Sequence, residues 1–433
     1  MKRIVMFTNT FEPLVGGLER SVATARLDLE RAGHLCRVVT PTFKGAEQSA
    51  DGILRLPALT GIGEKDFSIP LPTINRMQNW MEAIDPQIVH SHQPFLLGDT
   101  AWRVARLRKV PLVFTHHTLY ERYAHSLPMD PERARRLVIE LTTHYANRCQ
   151  VVIAPTPSVR HILLEREVTS PIEVAPSGID VSFYASGSRE RGRRHFGLPP
   201  HGEVIGHLGR ISQEKNISYL TEAILRVLHA RPRAKVLLIG DGDRLEWTRT
   251  RFAEAGLADR LIAPGLLTGS VLADAYASMD LFVFASRTDT QGLVLAEAMA
   301  AGTVVVALDA PGARDCVEHE RTGWLLSAGA SEGEFAAAVE NLLTRGEDRR
   351  AMAERARAAA GYFDRAACVQ RLLEVYDRAL ESYREDSAES ADRWEQLAQR
   401  FDAEWTPFWE KMTTTFRALS SRTEIRGVAS RAE

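Results

Sequence analysis

The stretch "LFVFASRTDTQGLVLAEAMAAG", residues 281 to 302, changes character twice, and that change decides how the chain folds. Its first four residues form an unbroken apolar run, as expected of a strand buried on both faces. Polar turn residues follow, Gly292 permits a close approach of backbone, and the run from Leu293 has the composition of a helix. A strand that feeds through a loop into a helix is half of a βαβ unit, whose strands lie parallel. That reading does not explain two acids. Asp289 and Glu297 stand with seven residues between them, on either side of the glycine and an apolar run.

The same alternation recurs along the chain. Upstream lie "RIVMF", a helix after Gly16-Gly17, then "CRVVT", "QIVHSH", "PLVFTHH" and "CQVVIAPT". The second half repeats the scheme with "EVIGHLG", "AKVLLIG", "LFVFAS", "TVVVAL" and "GWLLS". Short β-branched runs separated by helical patterns predict two doubly wound α/β domains with parallel sheets, and 433 residues are more than one core usually holds. The segment "YASGSRERGRRHFGLPPHG" between the halves, rich in Gly, Pro and Arg, reads as an exposed linker, with Arg189, Arg191, Arg193 and Arg194 on a solvated face. The domains are therefore placed at 1–185 and 203–362, with the linker at 186–202. Helices near 217–230 and 335–343 show core spacing, as in Ile217, Leu220, Ile224, Val227 and Leu228.

Composition narrows the function classes. A net charge of −2 gives no electrostatic footprint for bulk nucleic-acid binding, so any phosphate is bound locally. Cys36, Cys149, Cys316 and Cys368 are far apart and lack zinc-ligand spacing, which predicts reduced thiols in a cytoplasmic protein. The apolar stretch in "MKRIVMFTNTFEP" is too short for a signal peptide, and no run is long enough to span a bilayer. A soluble or peripheral protein is expected.

In open parallel sheets ligands sit outside the carboxyl ends of the strands. The informative loops follow strands here: "TNTFEPLVGGLE", "SHQPF", "THHTLYERY", "GRISQEK" and the opening segment. "LGRISQEKN" places Arg210 and Lys215 five positions apart on a loop that enters a helix, where two cations beside backbone N–H groups suit a diphosphate. Asp289 and Glu297 cannot bind phosphate, but a carboxylate accepts two hydrogen bonds from a vicinal diol. Acids on both sides of a diphosphate site, one for a sugar and one for a ribose, describe a nucleotide sugar.

"GRISQEKN" followed by "DTQGLVLAEAMAAG" resembles the donor site of retaining glycosyltransferases of family 4, which share the GT-B fold of two Rossmann-like domains facing a cleft. The likeness extends over roughly residues 1 to 380 through "LVGGLERSV", "DPQIVHSHQPFLLG", "VAPSGIDVSFY" and "GDGDR". The family's paired acids are usually both Glu; here the first is Asp289, shorter by one methylene. The resemblance implies that Glu297 binds the donor ribose, Asp289 the sugar hydroxyls, and Arg210 and Lys215 the diphosphate. It assigns the amides of Gly292 and Leu293 to the sugar and distal phosphate. Gly16 and Gly17 are expected to approach the diphosphate across the cleft, although a tight strand-to-helix turn would also call for glycine. His117 corresponds to the histidine that hydrogen-bonds the transferred sugar. The reaction so implied retains the anomeric configuration, with Arg210 and Lys215 as its main electrostatics, and needs no cofactor. No metal is expected: Asp241 and Asp243 in "GDGDR" precede a helix, where acids are good caps, and the His pairs lack a third zinc ligand.

The acceptor side looks most like the branch that glucosylates diacylglycerol or related lipids, which implies a glucose donor such as UDP-glucose and a place on the inner face of the cell membrane. His92, Tyr120 and Tyr123 are the acceptor-side candidates. "WRVARLRK", with Trp102, Arg103, Arg106, Arg108 and Lys109, offers either headgroup contacts or a plain amphipathic helix covering the sheet. Residues 363–385 are expected to form a helix that crosses back to the first domain. Beyond it, 386–433 carries an apolar helical stripe that includes Trp394, Phe401, Trp405 and Phe408. This stripe would pack on the chain's own body or a second copy, giving a homodimer, or attach to a membrane interface. A soluble sugar, sugar-phosphate or polysaccharide-precursor acceptor is the nearest competing reading. A catalytically silent sugar-nucleotide-binding protein would need a damaged site, and a nicotinamide dehydrogenase would need a GxGxxG motif that neither half carries.

Overall fold

The computed structural model describes residues 1–14, 16–43, 46, 51–62, 67–70, 74–122 and 130–383. The first half contains β1 (Arg3–Phe7), β2 (Leu35–Pro41), β3 (Ile53–Leu56), β4 (Ala58–Ile62), β5 (Phe67–Pro70), β6 (Ile88–Ser91), β7 (Leu112–Thr115), β8 (Val151–Ala154) and β9 (Ile172–Val174). The second contains β10 (Val204–Leu208), β11 (Lys235–Ile239), β12 (Leu261–Gly265), β13 (Leu281–Phe284), β14 (Val304–Leu308) and β15 (Gly323–Leu326). A parallel seven-stranded sheet runs in the order β3-β2-β1-β6-β7-β8-β9, and a parallel six-stranded sheet in the order β12-β11-β10-β13-β14-β15. The pair β4–β5 is a separate antiparallel ribbon.

Side chains on successive strand residues enter opposite cores, as the pleat requires. Ile4 and Met6 join one cluster while Val5 and Phe7 join another. In the second sheet Val236 and Leu238 face one core and Leu237 and Ile239 the other. Both faces of each sheet are thus covered, which is why the strands read as continuous apolar runs. The helix Arg365–Ser382 lies on the first domain, where Val369, Leu373, Tyr376 and Ala379 complete the core around Ile4 and Met6.

Strand order reverses between β1 and β6 in the first sheet and between β10 and β13 in the second. Open parallel sheets bind ligands at such switch points. The loops after these four strands, with the loop after β7, carry the sequence motifs.

Residues 186–202 differ from the expected exposed linker. Arg189–His195 is a helix packed on Gly269–Ser278, and Gly192 is needed there because a Cβ would come 2.2 Å from the Asp274 carbonyl oxygen. Arg193 is buried, with its guanidinium shared among Asp280 and the carbonyls of Ser278, Pro199, Pro200 and Gly202. Arg191 forms a two-pronged pair with Asp274. Arg189, Arg191 and Arg194 are exposed, as the composition suggested, but Arg193 is not, and Asp274 and Asp280, distant in sequence, pair with Arg189, Arg191 and Arg193 and hold the segment on the second domain.

Of the two readings of the Trp102 segment, the helix that covers the sheet holds and the headgroup contact does not. Trp102 is 5% exposed, with the guanidinium of Arg148 4.4 Å from its ring centroid, so it cannot anchor a membrane interface. The exposed apolar residue of the helix Leu97–Arg108 is Leu107. Tyr123 and the stretch 386–433 lie outside the described residues. Among the described residues no helix is long and apolar enough to cross a membrane.

Candidate active site

The opening segment forms the junction of the two domains. Gly292 adopts a left-handed φ of 69° and caps the helix Leu293–Ala300, so its amide and that of Leu293 begin the helix. The three residues before it bind the first domain or the neighbouring loop. Thr290 donates through Oγ1 to the His117 carbonyl at 2.7 Å, and its own carbonyl accepts from Thr156 Oγ1 at 2.9 Å. The Gln291 side-chain amide pairs twice with the Ser177 backbone, at 2.9 and 2.8 Å.

Asp289 and Lys215 meet at the switch point of the second sheet. Lys215 ends a short turn, Gln213–Lys215, and Asn216, at φ 58°, reverses the chain into the helix Ile217–Ala230 while donating to the Ala285 carbonyl. This brings Lys215 Nζ 2.8 Å from Asp289 Oδ1. Asp289 Oδ2 is buried without a protein partner among the described residues. Burial raises the affinity of this carboxylate for a proton, but the Lys215 charge and its hydrogen bond outweigh it and hold Asp289 ionised below its ordinary range. One buried lone-pair face of an ionised carboxylate is therefore free to accept from a hydroxyl.

Arg210 lies on the same loop, half exposed, and pairs with Glu214 at 2.5 Å. The loop is braced from below. Gly240 and Gly242, both at positive φ, press against the carbonyls of Gly209 and Ile211, where a Cβ would come to 1.9 and 2.3 Å. Asp241 accepts from the Ile211 amide through its carbonyl oxygen and from the Gly242 amide through Oδ1. Among the described residues no group of three or more His, Cys, Asp or Glu is placed to hold a metal ion.

Glu297 is 0% exposed. Its Oε1 accepts from Arg20 Nη2 at 2.8 Å and its Oε2 from the Tyr276 hydroxyl at 2.7 Å. Arg20 follows Gly16-Gly17 on the helix Gly17–Arg31 and also donates to the Tyr184 hydroxyl, so this network ties the two domains together. The carboxylate raises the Arg20 pKa above its ordinary value although the guanidinium is partly desolvated, and burial with the same carboxylate raises those of Tyr184 and Tyr276. Arg20, Tyr184, Tyr276, Thr290 and Glu214 had no assigned role in the sequence reading. Only Arg20, in "GGLER" beside the predicted glycines, carried a local signal.

Gly16 and Gly17 begin the helix that carries Arg20. Gly17 does not take a left-handed φ, and a Cβ added there would meet nothing within 4 Å. Among the described residues nothing in the chain requires glycine at this position.

Four histidines end the strands of the first sheet, and burial holds all of them neutral. His117 is lowered to about 4; His90 and His116 fall to about 3, and His92 falls well below its ordinary value, each with neighbouring charge adding to burial. His92 Nδ1 lies 2.9 Å from His117 Nε2, while His90 bonds Tyr376 and Thr115. Tyr120 stacks edge-on against Phe95 and His116 at the rim of this group. His207, on β10 below Gly209, is also buried, and its Nδ1 bonds the Val283 carbonyl.

Residues 15–183 match the family described as Glycosyltransferase Family 4, and residues 188–359 match Glycosyl transferases group 1. The chain is 29% identical to the alpha-monoglucosyldiacylglycerol synthase of Streptococcus pneumoniae, over 75% of this chain and 78% of that one. It is 31% identical to the GDP-mannose-dependent alpha-mannosyltransferase of Mycolicibacterium smegmatis, over 79% of this chain and 88% of that one. Among solved structures it is similar to Anabaena HepE in complex with UDP and glucose, with a TM-score of 0.70 and 20% identity, covering 87% of this chain and 100% of that one. Two parallel-sheet domains meeting at their switch points, with both family matches in order along the chain, make this protein a member of glycosyltransferase family 4 with the GT-B fold.

Proposed function

We propose that the chain transfers a hexose, in the first instance glucose from UDP-glucose, to a membrane lipid such as diacylglycerol or a glycolipid, with retention of anomeric configuration. The observation that carries the donor half is Asp289. This ionised carboxylate is fixed on one side by Lys215 and has a buried, unpartnered oxygen on the other. Such an oxygen accepts from a sugar hydroxyl, while Lys215 and Arg210 neutralise the diphosphate and the Gly292 and Leu293 amides meet its distal phosphate. Gly17 leaves room for the diphosphate to approach from the facing domain. His117 hydrogen-bonds the transferred sugar, and Glu297 addresses the ribose.

In the reaction, the bond between the anomeric carbon and the diphosphate oxygen breaks and its electron pair leaves with the diphosphate. The acceptor oxygen bonds the anomeric carbon on the same face, and its proton passes to the departing diphosphate oxygen. The protein contributes orientation and charge stabilisation, with Lys215 and Arg210 facing charge that grows as the bond breaks. This scheme uses no metal or cofactor.

Similarity to the pneumococcal synthase supports the lipid acceptor. Similarity at 31% to a GDP-mannose-dependent enzyme supports a second reading, the same donor chemistry with a different base, sugar and acceptor. Transfer from a panel of UDP-, GDP- and ADP-hexoses, with and without diacylglycerol in liposomes, separates the two. Turnover of UDP-glucose that requires the lipid is the expected result. Donor turnover indifferent to lipid points to the second reading, and no turnover with any donor rejects both.

A further inference from the structure

His92 and His117 stand with ring centroids 5.1 Å apart and planes inclined by 27°, and His92 Nδ1 is 2.9 Å from His117 Nε2. Burial keeps both rings neutral, so each carries one proton. One of the two facing nitrogens must donate to the other, which allows two arrangements.

If His117 Nε2 donated, the proton of His92 would sit on its own Nε2. That atom is buried from water and has no hydrogen-bond partner among the described residues. An orphaned buried N–H is rarer in folded proteins than an under-used acceptor. With His92 protonated on Nδ1 instead, the buried Nε2 is a bare lone pair and the Nδ1–H points at His117. His117 then carries its proton on Nδ1, the ring nitrogen with no protein partner among the described residues. His117 and His92 also border a cavity of about 40 Å³ shared with Ser21 and Ser177, so space adjoins the pair.

We propose that His92 is a positioning residue that fixes the tautomer of His117, so that His117 presents an N–H from Nδ1 to an oxygen of the ligand. The neighbouring His90 is held separately by Tyr376 and Thr115 and restrains His92 from behind, with ring centroids 4.2 Å apart. The consequence for the reaction rests on the proposed hexosyl transfer: an Nδ1–H donor selects a hydroxyl oxygen of the bound sugar. The tautomer itself does not depend on that reading.

The test is a long-range ¹H–¹⁵N correlation spectrum of the full chain labelled in histidine and recorded without substrate near pH 7.5. The His117 signals are identified by their loss in His117→Gln. The expected spectrum shows His117 neutral with its proton on Nδ1; a proton on Nε2 overturns the proposal, whatever the enzyme transfers. His92→Asn keeps an N–H close to the position of Nδ1 and should preserve the His117 tautomer, with turnover within about threefold. His92→Phe removes the donor and should give a mixed or inverted His117 tautomer. Its kcat should fall about 10–100-fold while the donor KM stays within about twofold, the range for loss of one oriented catalytic contact. Equal losses in the Asn and Phe variants, or an unchanged His117 tautomer in His92→Phe, also overturn it. Should the Phe variant not fold, the wild-type and Asn spectra still decide.

Discussion

Arg20 Nη2 lies 2.8 Å from Oε1 of Glu297, an ion pair that joins the first helix of one domain to the helix after β13 in the other. The acid is 0% exposed and the arginine side chain 45%, so the pair is anchored at its buried end and solvated at the other. Breaking a fully buried pair costs about 3–5 kcal/mol because a charge is left without compensation. Solvent around Arg20 reduces that figure here.

Arg20→Ala is therefore expected to destabilise the fold by about 1–3 kcal/mol, read as a lower urea midpoint. Tyr276→Phe removes the other partner of Glu297 and should cost a similar amount, since hydrogen bonds to charged groups contribute about 1.5–3 kcal/mol. Arg20→Lys keeps the charge but not the guanidinium that serves Glu297 and Tyr184 together, so it should fall between wild type and Ala. A midpoint unchanged in all three variants would mean that Glu297 is not held across the domains.

Lys215 and Asp289 are expected to act as a unit. Lys215→Ala removes the charge that keeps Asp289 ionised and, on the proposed reading, a cation that faces the diphosphate. Asp289→Asn removes the acceptor and frees Lys215 from its anchor. Each should lower kcat by about 10²–10³, the range for losing one preorganised electrostatic contact. The double variant should be little worse than the poorer single one, because residues that act together are not additive. Initial rates at saturating donor check this, and multiplicative losses would show that the two residues work independently.

The buried histidines predict a steep acid limb of stability. Unfolded histidines bind a proton near pH 6.5, whereas folded His117 and His207 do so only at about 4 and His90 and His116 at about 3. Between those values the unfolded state holds more protons, so stability falls as pH drops below 6.5. Each such group contributes about 1.4 kcal/mol per pH unit, so the loss from pH 7.5 to 5.5 should reach several kcal/mol. Urea midpoints across that range measure it. A flat profile would mean that these rings protonate in place.

Much of this arrangement was readable in the sequence because its signals are local. Apolar runs such as Leu281–Phe284 announce strands buried on both faces, and Asp289, Glu297, Arg210 and Lys215 stand at fixed distances from glycines and helix starts. What could not be read depends on partners remote in the chain. Arg20 and Glu297 are 277 residues apart, and nothing near Arg193 foretells Asp280. The strand β12 escaped notice because Pro264 and Gly265 break its pattern. It tolerates them at the sheet edge, where a missing N–H costs no ladder bond. For Trp102 the sequence left headgroup contact and a helix covering the sheet both open, and its tertiary neighbours decide for the second.

Two glycines, each at the start of a helix, should respond in opposite ways to alanine. At Gly292 the backbone φ is 69°, and an added Cβ would lie 3.0 Å from Leu295 Cδ1. Gly292→Ala should cost about 1–2 kcal/mol through the left-handed penalty alone and disturb the helix start whose amides are proposed to meet the donor. Gly17 takes no left-handed φ and has nothing within 4 Å of where a Cβ would stand. Gly17→Ala should leave stability unchanged or raise it by up to about 1 kcal/mol, because the unfolded chain loses freedom. If glycine is present there so that a diphosphate can approach, the same variant should raise the donor KM at least about tenfold, since one misplaced contact in a tight site costs 1.4 kcal/mol or more. Thermal unfolding and donor titration on one preparation test both halves. A Gly17→Ala protein that is stable and binds donor normally would show that the diphosphate does not pass this glycine.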